Sequence, residues 1–115
     1  ARYLAKNIVA ANLAEKCLIQ LSYGIGISKP ISFFLDSFGT GKIRDSEIAA
    51  YLMDNIEMTP QAIRERFQLN KPIYLATASY GHFGRKFSQD TGFFSWENLD
   101  LSLELKKNLN KNKAA

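Results

Sequence analysis

The chain has 115 residues, one domain's worth, and 46% of them are hydrophobic, 12% aromatic and 23% charged. No run approaches the ~20 apolar residues of a membrane-spanning helix, and a single cysteine (Cys17) and a single histidine (His82) exclude a disulfide framework and a His- or Cys-rich metal site. The formal charge of +4 is carried by Lys106, Lys107, Lys111 and Lys113, because residues 1–105 balance eleven bases against eleven acids. The body therefore lacks the concentrated basic surface of a nucleic-acid binder. Residues 106–115 are expected to be a basic flexible tail.

The first element is an amphipathic helix to about Ala14, with Leu4, Ile8 and Ala11 at helical spacing. It opens at residue 1 without an N-cap, an initiator Met or the features of a signal peptide. The expectation is a piece of a longer protein that starts inside a helix. Asn12 stands where a left-handed C-cap is wanted. Cys17–Tyr23 alternates as a half-buried strand with Ile19, Leu21 and Tyr23 on one face. Gly24-Ile25-Gly26 breaks it, and Ile31–Phe38 reads as a second strand. The short link makes the pair antiparallel.

Gly39-Thr40-Gly41 reads as a turn. Asp45 is expected to cap a helix that buries Ile48, Leu52 and Ile56. Thr59-Pro60 starts another, with Thr as N-cap, Pro at the first helical position and Ile63 and Phe67 on its inner side. Lys71-Pro72 ends it ahead of a short extended segment, Ile73-Tyr74-Leu75. A loop dense in glycine and aromatics follows, Ser79-Tyr80-Gly81-His82-Phe83-Gly84-Arg85. Ser95 is expected to cap a last helix that carries Leu99, Leu103 and Leu105. The sum is an α+β fold, a small antiparallel sheet covered on one face by helices.

Each chemical motif has a simpler structural reading. Phe38-Gly39-Thr40-Gly41-Lys42-Ile43 has Asp36 where a phosphate-binding loop needs its first Gly, and Ile43 where it needs Ser or Thr, so it reads as a turn. Gly24-Ile25-Gly26 has Lys29 in place of the third glycine of a dinucleotide fingerprint and opens no helix. Cys17 reads as a structural thiol and His82 as a hydrogen-bonding side chain of an aromatic loop. The acids show no spacing suited to a metal or an acid/base pair. These residues assemble no catalytic site by themselves.

Four stretches carry a resemblance: Arg2–Ala11 (RYLAKNIVAA), Gln20–Gly26 (QLSYGIG), Phe38-Gly39-Thr40, and Lys71-Pro72-Ile73-Tyr74 through Thr77-Ala78-Ser79-Tyr80-Gly81-His82-Phe83-Gly84-Arg85. In this order and spacing the chain, from Ala1 to Glu97, resembles the C-terminal part of S-adenosylmethionine synthetase (methionine adenosyltransferase). The resemblance implies that residues 1–105 are an incomplete C-terminal domain of a three-domain enzyme. That enzyme joins methionine to ATP with Mg2+ and K+ and splits the displaced triphosphate into pyrophosphate and phosphate. It further implies a cytoplasmic dimer of dimers with active sites at the dimer interface, no nucleic acid and no membrane.

The family's catalytic His, metal-binding carboxylates and phosphate-binding basic residues lie upstream of the matched stretches, so no catalytic residue or metal ligand is carried over. The expectation is that the piece alone is inactive. Ile25 alone is carried over, as an apolar residue beside bound methionine or adenosine. The family usually has Ala where Gly24 stands and often Gly where Asn12 stands. Residues 86–93 exceed the family's usual spacing, and Phe94-Ser95-Trp96-Glu97 replaces its Phe-Pro-Trp-Glu. A non-catalytic regulatory or interaction module sharing this domain's fold is the alternative.

Overall fold

The structure, a computed structural model, describes residues 1–78 and 81–114, with side chains through Leu109. Ser79 and Tyr80 of the aromatic loop, and the side chains of Lys111 and Lys113, lie outside what is described. The elements are α1 (Arg2–Ala10), β1 (Leu18–Ser22), β2 (Ser32–Asp36), α2 (Asp45–Asn55), α3 (Pro60–Arg66) and α4 (Asp100–Ala114). Two single 3-10 turns, Ala76–Ala78 and Ser95–Glu97, lie between α3 and α4.

α1 is shorter than its apolar pattern implies. Asn12 adopts φ 62°, the left-handed conformation that lets the chain leave the helix. The Leu13 amide donates to the Ile8 carbonyl (3.2 Å) and the Asn12 amide to the Val9 carbonyl (2.9 Å), closing the helix end. Leu13 and Ala14 then turn back into the core. Leu4, Ile8 and Ala11 are all buried, as their spacing implies.

β1 and β2 pair antiparallel, with Leu18 opposite Asp36 and Ser22 opposite Ser32. Ile19 faces Leu35 across the pair, and both are buried against the helices. Leu18 and Phe34 sit on the other face and are exposed. The α+β reading therefore holds, with helices over one face of a two-stranded sheet.

Local chemistry decides where the helices begin. Thr59 Oγ1 accepts from the Ala62 amide (3.1 Å), with Pro60 at the first helical position. Asp45 is not a cap: Arg44 holds that position, and Asp45 is the first residue of α2. Its carboxylate accepts from the Ser37 amide (3.2 Å) and hydroxyl (2.5 Å), so it ties α2 to the end of β2. Ser95 is not a cap either. Its hydroxyl donates to the Phe67 carbonyl at the end of α3 (2.6 Å), while Asn98 Oδ1 accepts from the Asp100 amide at the start of α4 (3.1 Å).

α4 buries Leu101, Leu105 and Leu109, while Leu99 and Leu103 point outward. Of the expected Leu99, Leu103 and Leu105, Leu105 alone faces the core, because the inner face runs through Leu101, Leu105 and Leu109. The expected boundary between 105 and 106 falls inside this helix, because Leu109 packs in the main core with Ile8, Leu52 and Leu105. A second, smaller core of Ile73, Phe94 and Trp96 lies under the loop that leads to α4.

Candidate functional site

Two loops carry the sequence's candidate residues. The first joins β1 to β2. The Ile31 amide donates to the Ser22 carbonyl (2.7 Å) and the Ile27 amide to the Gly24 carbonyl (3.2 Å), which folds the loop onto itself. Gly26 takes φ 76°, open to glycine at no steric cost. The Tyr23 hydroxyl donates to the Met58 carbonyl (2.6 Å) and pins the loop's base to the α2–α3 connection. Burial raises that phenol's pKa. At the tip Ile25 is wholly exposed, and Ile27 and Ile31 beside it are more than half exposed. An Ala methyl at Gly24 would meet Ile31 Cδ1 at 2.6 Å, so here the Ile31 side chain fills that space.

The second loop is Gly81–Arg85, and the segment Phe94–Glu97 holds it. The His82 ring stacks on Trp96, with centroids 4.5 Å apart and planes 7° apart. Trp96 Nε1 donates to the His82 carbonyl (3.2 Å). The Arg85 guanidinium lies over the Phe94 ring, 4.7 Å from its centroid. His82 is thus a stacking partner: its ring packs on Trp96 and its backbone carbonyl takes the hydrogen bond, where a hydrogen-bonding side chain was expected.

Glu97 is the hub of this region, and sequence reading did not single it out. Its side chain is fully buried. Oε1 accepts from Arg2 Nε (3.2 Å) and from the Gly84 amide (3.1 Å), and Oε2 accepts from Lys6 Nζ and Arg2 Nη2. Burial alone would raise this carboxyl's pKa. The hydrogen bonds from Lys6, Arg2 and the Gly84 amide, with the Lys6 charge, outweigh it and hold the carboxyl below its ordinary value. α1 and the aromatic loop are joined through one carboxylate.

The remaining candidates have structural roles. Thr40 Oγ1 donates to the Ser37 carbonyl (2.6 Å) and accepts from the Glu15 and Lys16 amides (3.1 and 3.2 Å). The Lys42 amide donates to the Leu13 carbonyl (2.8 Å). The Phe38–Lys42 stretch is therefore a turn stitched to the chain after α1. Cys17 is half-buried, and burial, aided by Asp45 and Asp36, pushes its thiol up to about 11, away from the reactive thiolate. Ile25 lies on the loop tip and none of these polar residues joins it. Among the described residues no group of three or more His, Cys, Asp or Glu is placed to hold a metal ion.

The family described as "S-adenosylmethionine synthetase, C-terminal domain" matches residues 1–98, including residues 86–93. The S-adenosylmethionine synthase of Roseobacter denitrificans is 58% identical over 106 residues, which is 92% of this chain and 27% of that protein. S-adenosylmethionine synthase 2 of Rhodospirillum rubrum is 54% identical over the same shares. The structure of an unusual S-adenosylmethionine synthetase from Campylobacter jejuni superposes with a TM-score of 0.84 at 42% identity, over 94% of this chain and 28% of that one. The chain thus spans about a quarter of the length of the relatives it matches. With the fold, the motif order and the sequence in agreement, the chain belongs to the S-adenosylmethionine synthetase family and corresponds to its C-terminal domain.

Proposed function

We propose that this chain serves a methionine adenosyltransferase as its C-terminal domain. In that reaction the methionine sulfur attacks C5′ of the ATP ribose and displaces the triphosphate, which is then cleaved to pyrophosphate and phosphate. The observation that carries the reading is the match of residues 1–98 to this family's C-terminal domain. The relatives' much greater length supports a division of labour in which the reacting groups stand outside these 115 residues.

Ile25 is this chain's proposed contribution to the substrate site. A wholly exposed isoleucine at a loop tip leaves its apolar surface in water. Beside methionine or adenosine it would supply packing and exclude water, not chemistry. Mg2+ and K+ belong to the proposed reaction, where cations offset charge on the leaving polyphosphate. The described residues do not fit a metal centre, so the proposed ligands of these ions stand outside them. The proposed setting is a cytoplasmic dimer of dimers. No described helix is long and apolar enough to cross a membrane.

The test is S-adenosylmethionine formation from ATP and methionine. A full-length protein that carries this segment is expected to form it, and the 115-residue chain alone is not. A full-length protein with no such activity overturns the reading. Turnover by the short chain overturns the division of labour.

A further inference from the structure

A pocket of about 400 Å3 opens beside Tyr3 of α1, lined by the end of α3, the loop over residues 87–92 and the start of α4. Its size is that of a small-molecule site. Phe67 and Phe87 supply apolar wall, and Gln89 an amide. Phe87 and Gln89 come from the loop between the aromatic Gly81–Arg85 loop and the Phe94–Glu97 segment.

The polar end is built around one hydroxyl. Tyr3 is buried, with its ring set edge-on to Phe67 at 4.8 Å. Its hydroxyl donates to Asp100 Oδ1 and accepts from Arg66 Nη1 (3.0 Å). Burial, and then the hydrogen bond to Asp100, push the phenol pKa up, so the proton stays on the tyrosine. Arg66 and Asp100 therefore meet at the one phenol hydroxyl and form no direct ion pair with each other. Both are exposed at the pocket wall, and among the described residues neither has another charged partner.

A cation and an anion bridged by one neutral hydroxyl, in a pocket also lined by aromatic rings, match a ligand with the reverse pair of charges and an apolar body. We infer that this pocket binds a free α-amino acid, with its carboxylate on Arg66, its ammonium on Asp100 and its side chain against Phe67 and Phe87. Arg66 keeps guanidinium N–H groups beyond the one given to Tyr3, and a carboxylate can take two of them in a fork. Asp100 keeps Oδ2 for the ammonium. The site uses none of the residues proposed for the methionine and ATP reaction.

The probes are L-leucine and L-phenylalanine, with inorganic phosphate and n-butylamine as single-charge controls. They are titrated into the 115-residue chain, and into the longer protein where the chain is part of one, by calorimetry and by NMR. Both amino acids are expected to bind saturably in the millimolar range, suited to so few heavy atoms. Resonances of Tyr3, Phe67, Phe87 and the Arg66 side chain should shift. Arg66→Gln and Asp100→Asn should each weaken binding about tenfold, because each removes one charge-assisted contact from an exposed position. Phosphate and butylamine should bind more weakly than either amino acid.

Absence of saturable binding by either amino acid overturns the inference. So does equal binding by phosphate, shifts confined to other loops, or affinity unchanged in both variants. Leucine and phenylalanine are not methionine, so loss of S-adenosylmethionine formation leaves this result standing, and the reverse also holds.

Discussion

The two loops of this domain solve opposite problems. Gly81–Arg85 is held from within: each oxygen of the Glu97 carboxylate has donors, and the His82 ring is already stacked. The β1–β2 loop holds its backbone in place but leaves Ile25, Ile27 and Ile31 facing outward. The first loop is complete in this chain. The second ends in apolar surface that gains stability only when something covers it. A polar cluster buried at one end and an apolar tip exposed at the other reverse the ordinary partition of residues, and for different reasons. The first reflects the assembly of the domain, and the second is the surface to which the proposed substrate contact is assigned.

The sharpest way to break this contrast is Glu97→Ala. The substitution leaves the Arg2 and Lys6 charges and the Gly84 amide without their common acceptor. Breaking a buried pair costs about 3–5 kcal/mol. Arg2 and Lys6 are partly open to solvent, which discounts the loss to about 2–3 kcal/mol. Urea unfolding followed by Trp96 fluorescence measures it, and the native emission should change as the His82 stack loosens. A loss within ~0.5 kcal/mol, the range of an ordinary surface change, would show that the cluster does not hold the loop.

Acid sharpens the same point. The folded carboxyl of Glu97 has a pKa below its ordinary value of 4.5, so it binds a proton less readily than the unfolded one. Its contribution is complete above 4.5 and is lost as pH falls below that value toward the folded pKa. Thermal midpoints of the wild type and Glu97→Gln, compared from about pH 7 to about pH 3, should therefore differ most near neutrality and converge in acid.

The sequence made the two regions unequally legible. Thr59-Pro60, Asn12 and the strand pair were readable because each rests on neighbours within a few residues. The Glu97 cluster was not, since Arg2 lies 95 residues away and nothing local marks Glu97 as buried. α4 failed for another reason. Leu99, Leu101, Leu103 and Leu105 alternate, so the pattern offers two helical faces. Packing on α1 selects Leu101, Leu105 and Leu109. Ile25 was found through family resemblance alone, as no rule of periodicity singles out an exposed isoleucine.

Ile25→Asp tests the open side of the contrast. With no buried surface of its own, the substitution should change the stability of the chain by less than ~0.5 kcal/mol. In a full-length enzyme the proposed role requires an effect on substrate. The KM for methionine or ATP should rise about tenfold, the scale of one lost apolar contact and a newly desolvated charge. Unchanged KM values for both would remove Ile25 from the substrate site and leave the domain assignment intact.

The mildest probe is Gly24→Ala, which installs the residue that the family resemblance implies at this position. No positive φ stands against it, so the backbone accepts a side chain. The new methyl would meet Ile31 Cδ1 at 2.6 Å, but that atom is the far end of a flexible side chain that is 62% exposed. Rotating it away costs on the order of 0.5–1.5 kcal/mol, and the lower entropy of the unfolded chain returns about 0.4–1 kcal/mol. The net change should lie close to zero by urea unfolding. Ile31→Val removes Cδ1, so the double variant should be at least as stable as Ile31→Val alone. A loss above ~2 kcal/mol that Ile31→Val does not relieve would show that the loop's backbone, and not the Ile31 tip, resists the methyl. The tip would then be as rigid as the Glu97 cluster, and its exposed isoleucines would form a fixed surface instead of one that adapts to what covers it.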